Sequence, residues 1–183
     1  MRLLAPADRT TAVTVAAVMT SAAAVAAVLG LAAGEQVRHA LGFDFAGAPR
    51  TLTEAASIFA HNTRFLFGIF GLTLLAQTPW MDGSDRPAPR WQHAIVLLGD
   101  LILAAQVLIN AGVIGASVGA YGTRMLSVLL PHGPLEVAAF SLALTLYLAA
   151  RRGPVQPRRA LTLAALSVAT LAVAAVLETY LTF

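Results

Sequence analysis

Five runs of about 20 mostly apolar residues occupy most of this chain, and a helix needs about that length to cross a hydrocarbon core of roughly 30 Å. They are Thr11 to Ala33, Glu54 to Thr78, Ala94 to about Ala120, Pro134 to Ala150 and Ala160 to Phe183. The pattern predicts an all-α polytopic membrane helix bundle of about five transmembrane helices, forming one integral membrane domain over residues 1–183. The first run follows Arg2 and Arg9 as a secretory signal would, but it is longer than a typical signal core and reads as a span.

Composition agrees with the length argument. Of the 183 residues, 58% are apolar and only 11% charged, against about 25% charged in a soluble domain, so a soluble enzyme is excluded. With no cysteine, disulfides, thiolate nucleophiles and thiolate-bound zinc are excluded as well. All the positive side chains are arginines, scattered among apolar blocks with no basic stripe. They fit lipid headgroups, and nucleic acid is discarded as a partner.

The third run is long enough that it must tilt, bend or break, with Asn110 to Gly115 as the expected weak point. Met125 to Leu130 is too short to span and reads as a re-entrant or interfacial segment before the fourth helix. The connections Gly34 to Thr53, Pro79 to His93 and Arg151 to Arg159 are short, and the last two are proline-punctuated. None can hold a soluble domain. Placing the N-terminus inside puts eight arginines (2, 9, 86, 90, 151, 152, 158 and 159) on the cytoplasmic side and three (38, 50 and 124) outside. That bias sets the expected orientation, with the C-terminus outside the cell membrane.

In this topology, ionisable residues from three spans share the outer leaflet. Glu54, His61, Asn62 and Arg64 head the second span, His132 and Glu136 the fourth, and Glu178 lies near the outer end of the fifth. Each is costly in lipid unless paired or hydrated. One reading is a metal site: His132, Glu178 and possible fourth ligand His61 hold a divalent cation, zinc first among them, with Glu136 and Glu54 as ligands or base. Such an ion lowers the pKa of bound water and polarises a carbonyl, which suits peptide hydrolysis or transfer. Pro134 suits the first helical turn, with Gly133 as the cap and His132 outside, so the His-x-x-x-Glu pair needs a turn to meet. The alternatives are a structural polar cluster, with Glu136 capping its helix, and a transport pathway. Arg64 is expected to pair with Glu54 or Glu178, and Asp100 to serve structure near Arg86 or Arg90. Gln106 and Asn110 are read as interhelical glue, Gly112, Gly115 and Gly119 as close-packing positions, and Trp80 and Trp91 as interface anchors.

The run Leu130-Pro131-His132-Gly133-Pro134-Leu135-Glu136 resembles the Pro-His-Gly-x-x-Glu signature of the stage II sporulation protein M family, also called DUF95. In the same order, Phe59 to Arg64 resembles that family's Asn-containing early segment, with His61 where many members have a second asparagine. Asn110 with Gly115 resembles its Asn-Gly-x-x-x-Gly element, with Ala111 replacing a glycine, and Leu177 to Thr182 resembles its closing Ile-Glu-aromatic-x-Thr run. The resemblance covers roughly residues 54 to 183 and implies a multi-helix membrane protein. It also implies one of two roles: a scaffold among membrane partner proteins, as in a cell-wall-hydrolase complex, or a part in maturing and exporting circular bacteriocins and related peptides. The second supplies a peptide substrate for the polar cluster.

Overall fold

The computed structural model describes residues 4–43, 45, 49–81 and 90–181, without the side chains of 79–81, 90 and 92. Arg2, most of the proline-rich connection with Arg86, the side chains of Trp80 and Arg90, and the last two residues therefore lie outside the description. Seven helices follow in order: α1 (Pro6–Ala32), α2 (Gly34–Leu41), α3 (Leu52–Met81), α4 (Arg90–Tyr121), α5 (Thr123–Leu129), α6 (Gly133–Arg152) and α7 (Pro157–Leu181). Five of them, all but α2 and α5, are long and apolar enough to cross a membrane. The chain is an all-α, membrane-integral bundle.

The bundle is built around α6, which packs on α7, α3 and α1. Its inward residues include Ala139, Ala143, Leu146, Tyr147 and Ala150, all under 5% exposed. Phe65 of α3 meets Phe140 of α6 edge to face at 5.1 Å. Most hydroxyls buried in the described spans bond back along their own helices, as with Thr73 to the Ile69 carbonyl and Thr145 to that of Ser141, which satisfies them in an apolar setting; Ser141 instead donates to Met19 Sδ of α1. The rim is aliphatic, with Val18, Val28, Leu31, Leu74, Leu101 and Leu161 all more than half exposed.

The first span is built into this bundle. It runs parallel to α4, pressed so close that a Cβ on Gly115 would lie 2.0 Å from the Ala23 carbonyl oxygen and one on Gly119 2.1 Å from that of Ala27. Both glycines are therefore close-packing positions, as small residues between membrane helices usually are. Gly112 is not, because no atom lies within 4 Å of its missing Cβ. At the opposite end of α1, buried Asp8 accepts from Arg159 of α7, whose Nε reaches both carboxylate oxygens at 3.1 and 3.0 Å.

The structure refines the expectations for the third span and for the segments between spans. The third span does not break at its glycines: α4 is continuous for 32 residues, about 48 Å at 1.5 Å per residue. It stops at Gly122, whose φ of 62° a side chain would resist. The stretch after the first span is not all loop, since α2 forms there. Its Arg38 guanidinium donates to the Ala120 carbonyl at 2.7 Å, a cation on the negative end of α4. Beside it Phe43, Phe45 and Tyr121 stack edge-on, with Arg124 over the Phe45 ring at 4.3 Å. The short segment expected before the fourth span is α5.

Asp100 is held from α6, accepting from the Tyr147 hydroxyl and from Arg151 at 2.8 Å. A second tie at this end was not foreseen. Gln77 of α3 donates to the Ala150 and Gly153 carbonyls at 3.1 and 3.0 Å and accepts from the Val155 N–H at 2.9 Å, clasping the turn between α6 and α7.

Candidate metal centre

The other end of α6 holds the cluster. His132 is the N-cap, one residue earlier than expected, with Pro134 in the first turn and no capping bond from its side chain. Its carbonyl accepts from the N–H groups of Leu135 and Glu136 at 2.9 and 3.1 Å. That first turn brings Glu136 over His132 and supplies the turn the pair requires. The capping box does not form: Glu136 takes a side-chain amide N–H of Asn62 at 2.6 Å instead. From α7, Glu178 completes the group.

One ligand atom from each of His132, Glu136 and Glu178 lies within 4.8 Å of the other two. Tetrahedral bonds near 2.1 Å place ligand atoms about 3.4 Å apart, so the three side chains would draw in by up to about 1.4 Å around an ion. These residues could hold a metal ion, and the donor set of one imidazole and two carboxylates is that of hard and borderline divalent cations. The imidazole adds an independent sign. His132 is 4% exposed, and its Nδ1 is buried without a hydrogen-bond partner, a costly state for a polar atom. Burial also pushes the His132 imidazole below its usual pKa, favouring the neutral form that binds metals.

Charge points the same way. Glu54, in the first turn of α3, is near enough for its charge to bear on Glu178. Two side-chain ion pairs, Arg151 with Asp100 and Arg159 with Asp8, lie at the opposite end. Carboxylates drawn together in a low dielectric call for a cation or a proton.

Other expected site residues stand apart. His61 is exposed and does not join the group, because it lies 100° around α3 from inward-facing Asn62. Arg64 is also exposed and pairs with neither Glu54 nor Glu178. Asn110 accepts from Gln106 at 3.2 Å within α4 and does not bond to the His/Glu group. Gln106 and Asn110 are therefore not interhelical glue within one chain.

Comparison with family models, curated proteins and solved structures finds no match to this chain.

Proposed function

We propose that His132, Glu136 and Glu178 bind a divalent cation, zinc first, at the outer leaflet, and that the site processes a small peptide in the manner of a membrane metallopeptidase. The reading rests on one observation: three residues from two helices meet within 4.8 Å around an imidazole whose Nδ1 has no partner. A bound cation would supply Lewis acidity toward a carbonyl and a more acidic water. The chain supplies the rest. Asn62 orients Glu136 through its hydrogen bond, and Glu54, whose charge bears on Glu178, is the candidate to accept a proton. The resemblance to the stage II sporulation protein M family, through Pro131-His132-Gly133 and Glu136, adds peptide maturation as the context.

A second reading has its own support. The Asn62–Glu136 bond ties α3 to α6, as in a non-catalytic scaffold or export partner whose polar cluster serves only the packing. Metal content per chain, measured on detergent-purified protein made without chelator or polyhistidine tag, separates the two. Near-stoichiometric metal, lost in folded His132→Ala and Glu136→Gln variants, supports the metal site. Metal-free protein after reconstitution overturns it and leaves the scaffold.

A further inference from the structure

Gln106 is the least expected side chain on the lipid-facing surface. Asp100, six residues earlier on α4, is fixed near the last turn of α6 by Tyr147 and Arg151. Six residues of helix advance about 9 Å, and α6, at 20 residues, is about 30 Å long. Gln106 therefore lies near the middle of the hydrocarbon, and it is exposed. Among the described residues its one hydrogen bond gives an amide N–H to Asn110 on the same helix. The Gln106 carbonyl can still accept and the Asn110 amide can still donate, in a medium that offers neither.

Around the amides runs a line of exposed aliphatic residues: Ile95, Leu98, Ile102, Ile109 and Val113, each 43–58% exposed. With Gln106 included, successive positions are 3, 4, 4, 3 and 4 residues apart, the spacing of a seam between helices. This line faces away from the buried positions Val96, Leu103 and Ala111, by which α4 contacts its own bundle.

We propose that this seam docks a second copy of the chain, α4 against α4, about a two-fold axis along the membrane normal. Gln106 and Asn110 of each copy then bond to their counterparts. Copies inserted with one orientation present the same residue at the same depth, so a second copy is the partner that necessarily brings an amide to the level of Gln106. A primary amide is both donor and acceptor and so complements itself, as an isologous interface requires. The proposal does not depend on a metal at His132.

The chain has no cysteine, which makes the test clean. Single cysteines replacing Leu98, Ile102 or Ile109 should form a disulfide-linked species of twice 19.0 kDa when oxidised in the native membrane. Cysteines at Leu97, Leu101 and Leu108, equally exposed but at least about a quarter turn away, should not. Adding Gln106→Leu with Asn110→Leu should weaken the dimer about threefold to tenfold, the scale of interhelical polar contacts, in protein that still elutes as a folded species. Gln106→Asn should keep most of it. Equal crosslinking of both sets, no crosslinking, a product of another mass, or indifference to the double leucine variant would each overturn the proposal.

Discussion

The Asn62 amide reaches the Glu136 carboxylate across 2.6 Å, joining residues 74 positions apart and fixing α3 and α6 in register at the site end. Fifteen residues along α3, Gln77 fixes them again at the other end. Two amide side chains thus set the axial position of both helices, and each can be tested.

Replacing Asn62 with leucine removes a charge-assisted bond and leaves Glu136 without its donor. A stability loss of about 1–2 kcal/mol follows from such bonds in partly buried settings. If Glu136 is a metal ligand, affinity should also fall by about 10–100-fold, as when a ligand loses the partner that orients it. Unfolding in detergent and metal titration read the two effects separately.

Gln77→Leu strands two carbonyls and one N–H in the α6–α7 turn. The expected loss is on the order of 2 kcal/mol, with metal binding at the far end unchanged. Thermal unfolding of the variant beside metal content checks both, and a normal melting temperature would show the clasp to be dispensable.

Gly115→Leu should separate α1 from α4, since even a Cβ would sit 2.0 Å from the Ala23 carbonyl oxygen, a backbone atom. Gly112→Ala meets open space, and alanine should match or slightly exceed the wild type in a helix interior. Folded yield and protease resistance of α1 distinguish the pair.

Metal binding should depend on pH through His132. Burial lowers its pKa, so the neutral imidazole persists as pH falls past its ordinary value of about 6.5, and protonation blocks binding only below that point. The unfolded chain takes up that proton first, so this residue's contribution to stability declines between about pH 6.5 and its lower native pKa. Metal retention across pH 8 to 5 should stay level through about 6.5, where an ordinary histidine would already release the ion, and drop only at lower pH in wild type.

Span number and span type were legible because the bilayer sets helix length, and apolar runs record it directly. Depth was legible too: His132, Glu136 and Glu178 were expected at one level from topology alone, and they meet. Rotation was not. Whether His61 or Asn62 faces inward depends on which neighbour packs against α3, and both sit in one unbroken run. The same limit hid Arg151 as a partner of Asp100; the expected neighbours Arg86 and the Arg90 side chain lie outside the described residues. Asp8, Gln77 and Tyr147 went unremarked because their partners lie far along the chain. Opposite charges at Asp8 and Arg159, both at the predicted inner face, were the one available signal.

The Asp8–Arg159 pair also sets a timetable. The acid belongs to the first helix and its counterion to the last, 151 residues later. At roughly 5–20 residues per second of synthesis, Asp8 waits about 8 to 30 s beside the bilayer before its arginine emerges. Until then α1 carries an unpaired carboxylate, while its packing on α4 is already available. Asp8 and Arg159 are thus late partners, and a chain stalled before α7 would hold its first span by α4 and α6 with the Asp8 carboxylate still unpaired.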